Sequence, residues 1–153
     1  MSWPKDIRKP QALVTNRETA KLVLPAERYV LVKRFSAKEE KRRVVAGLYE
    51  PDEIQADSVG FENHLNVFHK AGRGLDQRTA RGLTLWLNSG AVDRFFRTFS
   101  GHTQVNATDL RLMRYPTHEQ LIQLGTENWD EWPSQTTIDA LVNMLVFDER
   151  LPQ

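Results

Sequence analysis

Residues 99–116 read FSGHTQVNATDLRLMRYP, and the organisation of the chain works outward from them. Ser100-Gly101 is a turn signal that follows Arg94, Phe95, Phe96 and Phe99, a run with aromatics at helical spacing. His102, Thr103, Gln104 and Asn106 come next, side chains that both donate and accept hydrogen bonds, with only Val105 apolar among them. Asn106 with Asp109 reads as a helix N-cap, Leu110, Leu112 and Met113 as the apolar residues of a short helix, and Tyr115-Pro116 as its stop. Taken alone, the stretch is either a loop that caps its own helix or a surface that meets a hydrogen-bonding ligand. Turn and cap chemistry leaves both open.

Upstream, Tyr29, Val30, Leu31 and Val32 predict a strand over residues 28–35, and Val44, Val45, Leu48 and Tyr49 a second over 43–49. The polar turn between them makes a hairpin that carries Lys33, Arg34, Lys38, Lys41, Arg42 and Arg43 against Glu39 and Glu40. Cations at that density suit phosphates, because each neutralised phosphate releases counterions; charged tips also serve solubility and edge protection. Residues 59–69, VGFENHLNVFH, predict a third strand with a bulge near Asn63-His64, whose polar side chains either read base edges or face water. Residues 70–74, KAGRG, read as a flexible basic loop without the Gly-Lys-Ser/Thr ending of a nucleotide cradle.

Asp76 caps a helix that Asn88-Ser89-Gly90 breaks, and a second helix over residues 91–99 places its phenylalanines in the core. Thr117 and Gln120 have capping-box spacing and open a helix over 117–128, and Ser134 opens a last one that runs to Phe147. Near the start, Asn16 caps a short helix that Pro25 ends. The fold class is therefore α+β, with a small antiparallel or mixed sheet over about residues 28–69 followed by four or five helices. Residues 1–25 are expected to be a linker or docking segment, and 26–153 a single domain.

The 153 residues, 40% hydrophobic and 27% charged, are enough for one domain with a substantial core. There is no cysteine, hence no disulfide and no thiolate metal site. No apolar run is long enough to span a membrane and the first residues do not read as a secretory signal, so a cytoplasmic setting is expected. The net charge of +1 hides a division: residues 1–114 hold 20 Lys and Arg against 13 Asp and Glu, a balance of +7, whereas 115–153 hold one base against seven acids, −6. A basic body with an acidic end suggests that one part of the surface faces a polyanion.

Together with YVLVKRFS (residues 29–36), GFENHLN (60–66) and Leu87-Asn88-Ser89, the opening stretch resembles a region near the C-terminal end of adenine-specific DNA methyltransferases of restriction–modification systems, in the BsuBI and PstI branch. The resemblance covers roughly residues 10 to 125. It implies a target-recognition region that follows a catalytic domain, with double-stranded DNA and a catalytic methyltransferase domain or subunit as partners. On that footing the hairpin cations with Lys70 and Arg73 hold phosphates, and Asn63, His64, Asn66, His102, Gln104 and Asn106 are candidates for base or flipped-nucleotide contacts.

The departure from the family is equally plain. The glycine-containing cofactor loop and the Asn/Asp-Pro-Pro-Tyr/Phe motif are missing, and no two prolines are adjacent. The chain is therefore expected not to be catalytic alone, and S-adenosylmethionine to belong to a catalytic partner or parent enzyme. The alternative is a protein-interaction module that docks such a catalytic or restriction subunit. His64 and His69 lack a zinc-motif spacing, no Gly-x-Ser-x-Gly elbow marks a hydrolase, and Glu39-Glu40-Lys41 matches a nuclease element only in a hairpin turn.

Overall fold

The computed structural model describes residues 12–36, 39–53, 55–99, 104–126 and 131–147. Its strands are β1 (Val23–Pro25), β2 (Tyr29–Lys33), β3 (Ala46–Tyr49), β4 (Ser58–Gly60) and β5 (Leu65–Phe68). Its helices are α1 (Gln77–Leu87), α2 (Gly90–Phe99), α3 (Ala107–Leu112), α4 (His118–Leu124) and α5 (Gln135–Val142), the last continued by a π-helical turn, Asn143–Phe147. This is the expected α+β arrangement, strands first and helices after.

Strand β2 is the middle of a three-stranded antiparallel sheet in the order β3-β2-β5, while β1 pairs with β4 in a separate two-stranded ribbon. Tyr29, Val30, Leu31 and Val32 are each 2% exposed or less. Alternate residues serve two cores. Val30 and Val32 pack with α1, α2, α4 and α5 through Leu83, Leu87, Phe96, Leu124 and Val142. Tyr29 and Leu31 pack on the other face with Tyr49 and Val59, and with the half-buried Leu24, Phe61 and Val67. Burial on both faces explains why the sequence shows a continuous apolar run there rather than alternation.

The stretch 59–69 is two strands in two sheets, not one strand with a bulge. After β4 the chain crosses the lower face of β2: Phe61 meets the rings of Tyr29 and Tyr49 edge-on at 5.5 and 5.4 Å. A turn, with Leu65 N–H donating to Glu62 O at 3.0 Å, then delivers β5. The basic loop is likewise tighter than expected. Lys70 and Arg73 exchange both backbone hydrogen bonds, and Ala71 and Gly72 take the positive φ of 51° and 80° that a two-residue hairpin turn demands.

The helix starts follow their local chemistry. Asp76, Asn106, Thr117 and Ser134 each accept from a backbone N–H of the first turn, and Thr117–Gln120 is a complete capping box. Gln120 does more than close its box: its Nε2 also donates to Leu145 O at 3.1 Å and so ties the π-helical turn after α5 to α4. Helix α4 stops at Leu124, short of the sequence reading, whereas α5 passes at Val142 into the π-helical turn and so stays helical to Phe147, the expected end. In α2 the phenylalanines divide: Phe96 is fully buried, but Phe95 is 37% exposed and lies outside the core.

Helices α1 and α4 meet at backbone distance. A Cβ on Gly82 would stand 1.9 Å from Leu121 O, and one on Gly125 1.8 Å from Arg78 O. Neither neighbour can swing aside, because both are backbone. Gly82→Ala should therefore lose about 1–3 kcal/mol of stability by overpacking, despite alanine's better helix propensity; a denaturant melt in which the variant matches or exceeds the wild type would remove this contact as a constraint.

Candidate nucleic-acid interface

Past Lys33 the chain leaves β2 as Arg34-Phe35, beside the place where β5 begins. Arg34 N–H donates to His64 O, and Arg34 O accepts from Val105 N–H, both at 2.8 Å. Phe35 and Gln104 form an antiparallel bridge. Asn66 Nδ2 donates to Val105 O at 2.7 Å and completes the seam. Residues 104–105 thus take the edge position that β5 vacates. Strand alternation then decides the side chains: Val105 is fully buried and Gln104 is exposed.

Around that seam lie several of the side chains singled out in the sequence. Asn63 and His64 are exposed. The His64 ring meets Phe35 edge-on at 5.2 Å, and its Nδ1 pairs with Glu62. The Arg34 guanidinium lies 6.0 Å from the Phe35 ring centre, with Nη1 donating to Asn63 O at 3.4 Å. Phe35 was no candidate in the sequence reading; only its 39% exposure beside these polar groups singles it out. Two expected contacts have framework duties instead. Asn66 spends its amide N–H on Val105, and Asn106 accepts from Asp109 N–H at 2.9 Å as the cap of α3. Lys38 and His102 lie outside the described residues.

The hairpin cations are mostly engaged. Arg43 is 2% exposed, which takes its side chain out of reach of a phosphate and corrects that expectation. Its N–H donates to Asp93 at 2.7 Å, and its carbonyl accepts from Ser36 Oγ at 2.8 Å. Arg42 donates to Asn88 O, and Lys33 pairs with Glu40 at 2.7 Å. Arg97 of α2 grips the tip through Glu40 O and Lys41 O, at 3.0 and 3.2 Å. The Lys41 side chain remains exposed. In the 70–73 turn, Arg73 pairs with Glu27 while Lys70 is exposed. Arg111 and Arg114, which no motif marked, are exposed on and just after α3.

Asp93 anchors the hairpin to α2. Burial would raise its carboxyl, but the N–H of Arg43 and the Arg97 guanidinium, whose Nε donates at 2.8 Å, outweigh this and hold it below the ordinary 3.8. Tyr115, half-buried after α3 with its hydroxyl donating to Leu110 O at 2.9 Å, is pushed up to about 12 by desolvation and stays neutral. A separate groove of about 390 Å³ lies between β3 and α1, lined by Gly47, Leu48, Glu50, Arg81, Leu85 and the half-exposed Trp132, among others. Among the described residues there is no group of three or more His, Asp or Glu placed to hold a metal, and no helix is long and apolar enough to cross a membrane.

The chain is similar to two curated proteins. M.PstI of Providencia stuartii, a Type II methyltransferase, is 49% identical over 143 residues, 92% of this chain. M.BsuBI of Bacillus subtilis, also a Type II methyltransferase, is 46% identical over 153 residues, 98% of this chain. The chain is homologous to part of Type II methyltransferases. It spans 28% and 30% of the length of these two relatives. No family model and no solved structure matches.

Two measurements check this framework. Asn106→Ala should cost about 0.5–2 kcal/mol in a denaturant melt, since it removes the cap of α3; an unchanged midpoint would free Asn106 for another duty. The lowered carboxyl of Asp93 contributes stability that is fully present above its ordinary 3.8 and lost as pH falls through its folded value. Asp93→Asn should therefore be less stable than wild type near neutral pH, with the gap closing in acid. A gap independent of pH would mean that the charge of Asp93 does not act as described.

Proposed function

We propose that this chain is the DNA target-recognition region of an adenine-specific methyltransferase of a restriction–modification system, acting on double-stranded DNA in the cytoplasm. Residues 26–153, together with β1, which pairs with β4, serve as the recognition domain, and the residues before β1 as the segment that joins or docks the catalytic part. The observation that carries the reading is the homology to Type II methyltransferases along almost the whole chain, 92% and 98% of it. The Arg34, Asn63, His64 and Gln104 surface supports it, because amide and imidazole groups around an exposed ring are the chemistry that reads base edges. Gln104 is the base reader of this set: its backbone is pinned by the bridge to Phe35 and its side chain is exposed. Lys41, Lys70, Arg34, Arg111 and Arg114 supply cations for phosphates, which position the duplex without specifying its sequence. S-adenosylmethionine binding and methyl transfer belong to the catalytic part, since this chain lacks the proline-containing catalytic motif.

The groove beside β3 favours a second reading. Trp132 is 51% exposed there, next to the apolar Leu48 and Leu85, which is the composition of a surface that docks a protein. That partner is the catalytic portion of the methyltransferase, as domain or subunit, and docking it is compatible with binding DNA around Gln104, which is not among the residues that line the groove.

Salt separates the two. Anisotropy of a labelled duplex titrated with the chain should show affinity falling steeply as salt rises, and Lys41→Ala and Lys70→Ala should each weaken binding to all sequences and reduce the salt slope by about 1. Gln104→Ala should leave the melting midpoint unchanged but, assayed with the catalytic part present, cut discrimination between duplexes that differ by one base pair by about 1–3 kcal/mol. Absence of salt-sensitive duplex binding would leave only the docking role, and a Gln104 variant that melts early with discrimination intact would make that residue scaffold.

A further inference from the structure

We infer that Phe35 is the apolar base contact of this chain, its ring packing against the face of a nucleic-acid base beside Gln104; this rests on the DNA-recognition reading above. The ring is 39% exposed and belongs to neither hydrophobic core. Two other exposed aromatics pack against a ring of the core, Phe147 at 5.9 Å from Trp86 and Phe95 at 5.7 Å from Phe96, and Trp132 lines the groove beside β3. Phe35 instead touches the edge of an exposed imidazole, that of His64, at 5.2 Å.

Its position is fixed before any ligand arrives. The residue bridges Gln104, while its neighbours on either side are tied down, Arg34 by backbone hydrogen bonds to His64 and Val105 and the buried Ser36 by its bond to Arg43 O. Holding an aromatic ring at a solvent-facing edge costs little more entropy on binding, and any base drawn out of the duplex stack has a face to offer it.

The group beside the ring is also incompletely satisfied. Arg34 Nε is buried without a hydrogen-bond partner among the described residues, and the bond from Nη1 to Asn63 O is long, 3.4 Å. A guanidinium with donors to spare, 6.0 Å from an exposed ring, matches a nucleotide: phosphate for the cation, base for the ring. Glu62 is an acid on this surface, and its pairing with His64 Nδ1 orients the imidazole rather than facing a phosphate.

The test is an anisotropy titration of labelled duplex with the full chain at several salt concentrations. Phe35→Ala should weaken binding about tenfold with the salt slope unchanged, because the ring carries no charge. Phe35→Trp, which keeps a flat ring, should retain affinity within about twofold. Should alanine lower the melting midpoint enough to unfold the chain, Phe35→Leu keeps the apolar volume without the flat ring and should still lose several-fold. Wild-type affinity in the alanine or leucine variant, with wild-type chain binding normally, overturns this inference alone. A wild-type chain that binds no duplex at low salt overturns it together with the recognition reading.

Discussion

Everything in this structure hangs on burying both faces of one short strand. Tyr29, Val30, Leu31 and Val32 need two covers, and the chain supplies them from opposite ends: helices from the second half above, and the β1–β4 ribbon with Phe61 below. A strand buried on both sides cannot slip by one residue without exchanging Tyr29 and Leu31 for valines between two differently shaped cores, so its register is strongly specified. What emerges from its end, Arg34-Phe35, inherits that rigidity. The candidate surface is therefore mounted on the most constrained element of the fold, which is where positional precision is easiest to maintain.

Amide side chains do the joining. Asn88 accepts from Ala46 N–H and donates to Ala46 O, at 3.1 and 2.9 Å, and so satisfies one residue of the outer edge of β3 from the end of α1. Asn66 donates to Val105 O, and Gln120 to Leu145 O in the π-helical turn after α5. An amide carries both donor and acceptor, as a peptide group does, so it can stand in for a missing strand or helix turn. This is also why polar residues in a presumed reading surface divide into those that hold the backbone and those that are left to face outward.

The basic hairpin makes a related point about charge. Its cations contribute to the +7 balance of residues 1–114, yet Arg43 is buried, Arg42 caps a carbonyl of the α1–α2 junction, and Lys33 is paired. Arg97 and Asp93 of α2 hold the tip by its backbone, so much of the hairpin's polarity is spent on docking it against the helices. Net charge predicts long-range attraction to a polyanion, but contact depends on which charges the fold leaves unburied.

By itself the sequence determined the features that close within a few residues. The caps at Asp76, Asn106, Thr117 and Ser134 were legible because donor and acceptor are three positions apart and need no partner from elsewhere. The strand cores at β2 and β3 were legible from their apolar content, and Gln104 and Asn63 as outward polar groups from their type. Tertiary structure alone decided the rest. The division of residues 59–69 between two sheets depends on Phe61 finding Tyr29 and Tyr49, rings some thirty and a dozen positions back along the chain. The burial of Arg43, the framework role of Asn66 and the half-open setting of Phe35 all follow from which remote segment arrives beside them: α2 at the hairpin, residues 104–105 at the sheet edge, and the edge-on ring of His64 beside Phe35. Hydrogen bonds between near neighbours are written in residue order, whereas exposure is the outcome of packing among segments that no local pattern brings together.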